Sequence, residues 1–361
     1  MDNIYTSTGL RKSKIGIVTF HYTTNYGALL QAYALTRLLT SLGYTCEVVD
    51  YRQWRAIKAY AKALFLNRNA LGGLLKLFRF SRFMRENLPI SRKVAYRFRT
   101  MKALTVAYEA LIVGSDEVWK INSFRGYDAV YFLGFASDGQ KRLSFSASAG
   151  STSSFGPLKD EICGHLSRFD AVSVRDRATS DILSRECSIE AVNLLDPTLL
   201  IDFPRMSENR IKEDAFLLVY GSLSAQEARY VRVVARDLRC RVISIGYMNQ
   251  FADDNFIGVG VGDWVEYFRS AKRVFTTFFH GAIFSLKFHE EVFIFRRNDK
   301  DYKINQLTFD LNLVREDIEC STADGSGKAV MRLGFSSSTA QLISDARDKA
   351  SVFLKNAFAG G

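Results

Sequence analysis

Short β-branched runs alternate with helix-like stretches along most of this chain, and this alternation limits its fold more than any other feature. Residues 14–20 read as a buried first strand, a helix follows over about 28–41 with Gly43 as its stop, and residues 46–51 form a second strand. A strand, a helix and a strand in this order form a βαβ unit. The pattern therefore predicts a parallel sheet with right-handed crossovers.

The same alternation continues to the C-terminus. Further strands are predicted at 110–113, 141–146, 171–174, 192–195, 215–220, 241–246, 273–277 and 291–296. Helices are predicted at 158–167, 225–238, 263–270 with Asp263 as N-cap, from just after His280 to about 288, and within 336–358. Polar or small residues follow several of the strands. They would line the carboxyl edge of an open α/β sheet, where ligands bind.

The length of the chain, 361 residues, exceeds what one hydrophobic core usually serves. We therefore predict an α/β fold of two Rossmann-like domains facing across a cleft. The N-terminal domain would span 1–205 with a basic helical insertion at 52–103, and the C-terminal domain 206–335. A C-terminal helix within 336–361 would pack back on the body. The sequence has neither a G-x-G-x-x-G motif nor a P-loop, so a classical dinucleotide or ATP site is not supported.

Positive charge is concentrated in the predicted insertion. Residues 52–103 contain 14 Lys and Arg against one acid, Glu86, a net +13, whereas the whole chain carries +11. Aromatic and leucine residues alternate with these cations. Such a stretch suits peripheral contact with an anionic membrane. A merely solvated insertion fits equally well, and nucleic acid is not expected because no nucleic-acid motif accompanies the charge.

Cysteine usage and hydropathy indicate the cellular compartment in which the protein resides. The five cysteines are odd in number, widely spaced and without a CxxC pair, which argues against a disulfide framework and against a zinc site. No run is apolar enough for a spanning helix, and residues 1–14 lack a signal-peptide core. We therefore expect a cytoplasmic protein, with the inner face of the membrane as an alternative, and no metal or cofactor.

The run from Val274 to Ser285, VFTTFFHGAIFS, combines a strand end, a histidine and a helix start. Unpaired N–H groups and the positive end of the helix dipole make such a turn suitable for an anion. The imidazole of His280 could move a proton there near neutral pH. The alternative is a packed histidine that bonds a neighbouring carbonyl.

Five ordered segments resemble the polysaccharide pyruvyl transferase family. They are IGIVTFHYTTNYGALLQAYAL, LIVGSDEVW, AVSVRDRAT, LDPTLL and TTFFHGAIFSL, and they extend from about Ile15 to Phe295. The GSDxVW element, which includes Ser115 and Asp116, and the His280-Gly281 pair are the more specific parts. The resemblance implies two Rossmann-like domains similar to the GT-B glycosyltransferases.

The resemblance also implies a reaction. A pyruvyl group would pass from phosphoenolpyruvate to a sugar diol of a cell-surface or exopolysaccharide precursor, forming a cyclic ketal and releasing phosphate. A lipid-linked oligosaccharide is one candidate acceptor. His280 would be the general acid and Asp116 would activate or orient an acceptor hydroxyl. For Asp116, a helix N-cap or Asx-turn is the alternative.

The remaining site residues would hold substrate. Arg175 is expected to clamp the donor through its guanidinium, with an ion pair to Asp176 or another nearby acid as the alternative. Asn25 and Gly27 lie in the first strand-to-helix loop, where Gly27 could equally serve a tight turn. Further substrate contacts are predicted at Ser115, Gly281 and Lys303, the last of these following the final strand. His21, His165 and His289 receive no role.

One position departs from the family pattern. In one branch of the family an arginine stands two residues before the motif histidine, and here that position is Phe278. The cation for phosphoenolpyruvate must then come from elsewhere, or the donor is not phosphoenolpyruvate. Two other functions stay open: a GT-B-type glycosyltransferase that uses a nucleotide-sugar, and a non-catalytic component of envelope polysaccharide assembly.

Overall fold

The chain divides into two units, each built around its own sheet. The computed structural model describes residues 14–59, 70–207, 211, 215–297, 301–319 and 330–359. One unit comprises Met1–Leu66, Met84–Ile201 and Asp345–Gly361, and the other comprises Asn67–Phe83 and Asp202–Ser344. Of the basic segment predicted as an insertion in the N-terminal domain, residues 67–83 thus group with the second unit.

Six strands build the first unit. They are β1 Lys14–Val18, β2 Thr45–Val48, β3 Ala110–Gly114, β4 Lys141–Phe145, β5 Ser173–Val174 and β6 Val192–Asn193. Four of them form a parallel sheet in the order β2-β1-β3-β4, and β5 pairs with β6 in parallel. Single parallel bridges, such as Leu143 with Ala171, join β4 to the chain at β5. The order changes direction between β1 and β3, which makes this the switch point of the first sheet.

Seven strands build the sheet of the second unit. They are β7 Phe216–Tyr220, β8 Arg241–Ile245, β9 Asp254–Phe256, β10 Arg273–Thr276, β11 Glu291–Phe295, β12 Val314–Ile318 and β13 Val330–Gly334. Their order is β12-β13-β11-β10-β7-β8-β9, parallel from β9 to β11. The five parallel strands follow the classical Rossmann order, with the switch point between β7 and β10. The strands β13 and β12 add an antiparallel edge.

Helices connect these strands. They are α1 Tyr26–Ser41, α2 Ala70–Asn87, α3 Phe98–Thr105, α4 Lys159–Leu166, α5 Arg177–Cys187, α6 Pro197–Leu200, α7 Ala225–Leu238, α8 Val261–Ser270, α9 Phe279–His289, α10 Asp301–Asp310 and α11 Thr339–Ala359. Two parallel α/β units result, so the predicted fold class is confirmed. Among the described residues, no helix is both long and apolar enough to cross a bilayer.

Each sheet carries a separate buried core. In the first unit Trp119 is fully buried, stacks on Phe132 at 5.9 Å and donates its indole N–H to the carbonyl of Tyr131. The tryptophan of the GSDxVW element therefore anchors the segment after β3 to the core. In the second unit, Phe275 of β10 packs on Phe293 of β11. Large aromatic side chains thus anchor the segment after β3 in the first unit and pack β10 against β11 in the second.

Three sequence predictions need correction. The N-cap of α8 is Gly260, and Asp263 lies in the first turn of that helix. Lys303 does not follow the final strand, since it lies on α10 and both β12 and β13 come after it. Cys163 of α4 and Cys187 of α5 form a disulfide. Their separation of 24 residues hides this pair from a reading of cysteine spacing, because only the packing of the two helices brings them together.

Candidate functional site

The switch point of the second sheet brings the histidine motif to the carboxyl ends of β7 and β10. In an open α/β sheet, ligands bind in the crevice outside these strand ends. The loop after β10 passes directly into α9, whose first residue is Phe279. The sequence predicted that the helix would begin after His280. The structure instead places the imidazole on the first helical turn.

The Thr276 hydroxyl joins this turn to β7 and also closes the turn itself. Thr276 donates its hydroxyl to the carbonyl of Tyr220 at 2.8 Å and accepts the backbone N–H of Phe278 at 3.1 Å. A Cβ at Gly281 would lie 2.2 Å from the hydroxyl oxygen of Thr276 and 3.0 Å from the ring of Tyr220. Only glycine lets α9 approach the strands this closely. Packing of α9 against the strands therefore requires the glycine of the His-Gly pair, Gly281.

His280 is half-buried in this turn. Its ring meets that of Phe279 edge to face, with the centroids 5.4 Å apart. The N-cap residue, Phe278, supplies no side-chain hydrogen bond to the helix. The backbone N–H groups of a first turn have no intrahelical acceptors, and they add to the positive end of the helix dipole. The turn can therefore bind an anion beside an imidazole.

A lysine adds positive charge near this turn. The Nζ atom of Lys303, on α10, lies 5.9 Å from the ring centroid of Phe279. This places the ammonium group close to the residue before His280, although the two segments are separated by β11. Lys303 is half-buried, so its charge acts in an environment less screened than open water.

Phe278 packs into an aromatic cluster. Its ring stacks on Tyr247 at 5.2 Å and contacts Tyr220 at 5.0 Å, and burial raises the pKa of the Tyr247 phenol. The position held by arginine in one family branch thus serves packing here. Phe278 therefore offers no cation at this turn, whereas Lys303 lies near its neighbour Phe279.

The first unit places Asn25 and Gly27 at its own switch point. Asn25 caps α1, and its side-chain oxygen accepts the N–H groups of Gly27 at 3.0 Å and Ala28 at 3.4 Å. Gly27 is buried in the first turn of α1 and has no positive φ. The tight-turn explanation for Gly27 therefore does not hold. Asn25 is therefore the structural N-cap of α1, and the residue is exposed at the sheet edge.

Ser115 and Asp116 follow β3 at the same switch point. Ser115 is fully buried, and its hydroxyl donates to Asp196 at 3.5 Å. Asp116 accepts the backbone N–H of the next residue, Glu117, at 2.8 Å, a spacing that forms neither an Asx-turn nor a helix N-cap, and 15% of its side chain stays exposed. Asp116 is therefore the member of the pair that a solute can reach.

Arg175 joins these residues from β5. Its Nη1 donates to Asp196 at 3.0 Å, and its Nη2 lies 3.8 Å from Asp116. Burial alone would lower the pKa of Arg175, but the nearby Asp196 and Asp116 carboxylates outweigh it and raise that pKa. The ion pair left open by the sequence is present, with Asp196 as the acid. Asp176 instead caps α5 through the N–H of Thr179.

A buried charged group at the first sheet edge escaped the sequence analysis. The ring of His21 bonds the carbonyl of Thr19 through Nδ1 and the Asp50 carboxylate through Nε2, both at 3.1 Å. Arg52 donates twice to the same carboxylate, each time at 2.8 Å. Both ring nitrogens of His21 thus lie within hydrogen-bond distance of oxygen atoms. The available signal was that His21 and Asp50 each follow one of two strands, β1 and β2, that pair in parallel.

Comparison with known protein families identifies the family of this chain. A family model described as polysaccharide pyruvyl transferase matches residues 25–299, most of the chain. The chain belongs to the polysaccharide pyruvyl transferase family. The matched span of this pyruvyl transferase includes Asp116, Arg175 and His280, and it ends just before Lys303. No curated protein matches the sequence.

Solved structures that resemble the protein are remote. A putative UDP-N-acetylglucosamine 2-epimerase from Listeria monocytogenes is 10% identical over 81% of this chain and 82% of that one, with a TM-score of 0.46. A UDP-GlcNAc 2-epimerase from Methanocaldococcus jannaschii, in complex with UDP-GlcNAc and UDP, is 12% identical over 96% and 99%, with a TM-score of 0.44. An α-glucosyltransferase in complex with UDP is 8% identical over 95% of each chain, with a TM-score of 0.40. Similarity at this level does not assign a substrate to the pyruvyl transferase.

The polar residues of the two edges do not assemble a metal site. Within the part of the chain that the structure describes, no three His, Cys, Asp or Glu side chains are grouped so that they could hold a metal ion. Asp50 and Asp196 are each engaged by arginine. The chemistry available from these residues is hydrogen bonding, charge and proton transfer.

Proposed function

We propose that this pyruvyl transferase moves a pyruvyl group from phosphoenolpyruvate to a sugar diol of a cell-surface or exopolysaccharide precursor. Family membership supports the transfer, and the single observation that supports the donor is the position of His280. Its imidazole lies on the first turn of α9 at a sheet switch point. An anion-binding turn and a proton donor are the two things that phosphoenolpyruvate chemistry requires together.

The reaction balances without a further reactant. A proton adds to the methylene carbon of the donor, and one sugar hydroxyl oxygen bonds to the central carbon. The second hydroxyl oxygen then bonds to the same carbon as the C–O bond to phosphate breaks. One hydroxyl proton compensates for the proton delivered to the methylene group, and the other leaves with phosphate. The products are a cyclic pyruvate ketal and inorganic phosphate.

We assign proton delivery to His280. The first-turn N–H groups of α9, including that of Gly281, would bind the donor anion, and Lys303 would supply the cation that Phe278 cannot. The Lys303 ammonium, 5.9 Å from the ring centroid of Phe279, and the helix dipole both add positive charge near this turn. A correctly placed general acid contributes about 10²- to 10⁴-fold to rate.

We assign the acceptor hydroxyl to Asp116. Its carboxylate is partly exposed at the switch point of the first sheet, beside the Arg175–Asp196 ion pair. With Nη1 of Arg175 donating to Asp196, a donor clamp would have to use the rest of its guanidinium group. Asn25 and Ser115 would line the same edge, Asn25 through its exposed amide and Ser115 through the turn it fixes.

Product identity separates this function from the alternatives. Purified protein, phosphoenolpyruvate and a sugar acceptor with two suitably placed hydroxyls should release inorganic phosphate and yield a ketal detectable by mass spectrometry. A UDP-sugar should release no nucleotide. Nucleotide release without phosphate release would instead identify a glycosyltransferase. Phosphoenolpyruvate should also raise the melting temperature, since a ligand of the folded state stabilises it.

We also propose that the acceptor is lipid-linked and that the protein contacts the membrane that carries it. The net +13 of residues 52–103 supports this contact, because anionic headgroups attract basic segments. The family implies a polysaccharide-type acceptor, and such precursors need a carrier when they are built at a membrane.

A further inference from the structure

Helix α2 presents large apolar side chains to solvent. Leu74, Leu75 and Phe78 are 53%, 43% and 59% exposed, and they lie within one turn of each other. The opposite face is anchored, since Phe80 and Phe83 are buried. The helix therefore has one buried face and, at Leu74, Leu75 and Phe78, an apolar face that is about half exposed among the described residues.

Its place in the fold holds this helix firmly. Arg79 donates to the backbone carbonyl of Gly258, and a Cβ added at Gly258 would lie 3.2 Å from the carbonyl oxygen of Gly72 and 3.7 Å from the side chain of Leu75. Residue 258 and helix residues 72–79 belong to the same unit. The apolar face is thus presented by a fixed element.

Cations continue the apolar face toward the C-terminus of the helix. Arg82 and Arg85 are exposed four and seven residues after Phe78, spacings that place them on the same side of a helix. We call Leu74, Leu75, Phe78, Arg82 and Arg85 the outer face of α2. Glu86 is the single acid in residues 52–103.

We propose that the outer face of α2 docks on an anionic lipid bilayer. Leu74, Leu75 and Phe78 enter the boundary between headgroups and acyl chains, and Arg82 and Arg85 stay among the headgroups. The inference rests on the membrane contact proposed above, and it is independent of the pyruvyl chemistry.

Charge and hydrophobicity together select this partner. A second copy would bring another net +13 segment toward the first, which like-charge repulsion opposes. A nucleic acid would attract the arginines but would bury neither leucine nor phenylalanine effectively. A bilayer with anionic headgroups satisfies both parts of the face.

Co-sedimentation of the full-length protein with vesicles tests the proposal. Binding to vesicles of phosphatidylglycerol and phosphatidylcholine should exceed binding to phosphatidylcholine alone and should weaken as salt screens the charges. A variant with Leu74→Ser, Leu75→Ser and Phe78→Ser should lose at least roughly tenfold in vesicle affinity. A variant with Arg82→Gln and Arg85→Gln should lose the preference for anionic vesicles.

A matched control removes equally exposed apolar side chains elsewhere. Val233, Phe309 and Val352 lie on α7, α10 and α11, and their joint change to serine should leave vesicle binding unchanged. Equal loss in this control would overturn the proposal, and so would full binding by the Leu74/Leu75/Phe78 variant. Retention of a duplex DNA by the wild type with no vesicle binding would also overturn it, as would a dimer that only this variant disrupts.

An assay of phosphate release distinguishes failure of the membrane-docking proposal from failure of the proposed pyruvyl transfer. With phosphoenolpyruvate and a water-soluble acceptor, the Leu74/Leu75/Phe78 variant should react at the wild-type rate, which also shows that it is folded. If the arginine variant alone can be purified, its loss of anionic preference decides the question. No phosphate release from the wild type, together with intact vesicle binding, would contradict the pyruvyl proposal and leave the docking face standing.

Discussion

At the scale of single residues, Gly281 shows how close packing shapes the site. Its Cα approaches Thr276 so nearly that a Cβ would overlap the hydroxyl oxygen at 2.2 Å. We expect Gly281→Ala to lower the free energy of unfolding by about 1–3 kcal/mol, because the added methyl group overpacks the helix against the strand. Urea denaturation followed by circular dichroism measures this change.

The control for this substitution is a glycine in a helix with open space around it. Gly164 lies within α4, and a Cβ there would meet nothing within 4 Å. Gly164→Ala should therefore raise the free energy of unfolding by about 0.5–1 kcal/mol through helix propensity. Equal destabilisation by both substitutions would contradict the packing explanation for Gly281.

We expect the stability of the protein to depend on pH through the carboxyl group of Asp50. Burial would raise the pKa of its carboxyl, but hydrogen bonds and charge from His21 and Arg52 outweigh burial and lower that pKa. A depressed pKa contributes stability above the unfolded pKa of about 3.9, and this contribution is lost as the pH falls through the folded pKa. The affected window therefore lies below about pH 4.

We expect the stability difference between wild type and Asp50→Asn to be largest at pH 5 to 7, roughly, and to shrink below about pH 4. Urea unfolding at a series of pH values measures it. Asp138→Asn is a suitable control, since the Asp138 side chain is almost fully exposed in its pair with Arg168. A pH-independent difference for Asp50→Asn would show that the buried charge does not act in this way.

The sequence predicted some of these residues better than others. The anion-suited turn at His280 could be derived from a strand, a histidine and a helix in succession. The partner of Arg175 could not, because Asp196 lies 21 residues away and meets it only through the sheet. His21 and Asp50 meet for the same reason, as ends of neighbouring strands. Local patterns reveal turns, whereas ion pairs between strands depend on register.

At the scale of elements, the periodic strands and helices were predictable. The buried runs of β1, β3, β7 and β10 and the helices α1 and α7 lie within a few residues of the positions expected. The antiparallel strands β12 and β13 were missed. The exposed sequence VREDI of β12 lacks the apolar alternation that indicates a strand, and it is ordered by pairing with β13. Tertiary pairing, and not local propensity, forms this edge.

Helix α7 carries the clearest capping signal and provides a prediction at this scale. The Ser224 hydroxyl accepts the N–H of Glu227, and the Glu227 carboxylate accepts the N–H of Ser224. Ser224→Ala should lower the free energy of unfolding by about 1 kcal/mol, because one first-turn N–H loses its acceptor. Thermal unfolding followed by calorimetry measures this loss.

A serine within a helix serves as the comparison. Ser351 of α11 bonds only the carbonyl of Arg347, so Ser351→Ala should be neutral or slightly stabilising. If Ser224→Ala also proves neutral, the capping box does not contribute to the stability of this unit.

At the scale of the whole molecule, the two units were predictable but not the destination of every segment. The amphipathic pattern of residues 70–87 indicates a helix with a buried face, yet it does not say which core accepts that face. The bond from Arg79 to Gly258, 179 residues away, belongs to the second unit. Chain length predicts how many cores form, whereas long-range contacts decide their membership.

We propose above that His280 delivers the proton in pyruvyl transfer from phosphoenolpyruvate. The direct test compares wild type and His280→Gln for phosphate release with a diol acceptor, alongside a thermal-shift titration with phosphoenolpyruvate. We expect His280→Gln to bind phosphoenolpyruvate as the wild type does, while its rate of phosphate release falls about 10²- to 10⁴-fold. A variant that binds phosphoenolpyruvate and releases phosphate at the wild-type rate would contradict it.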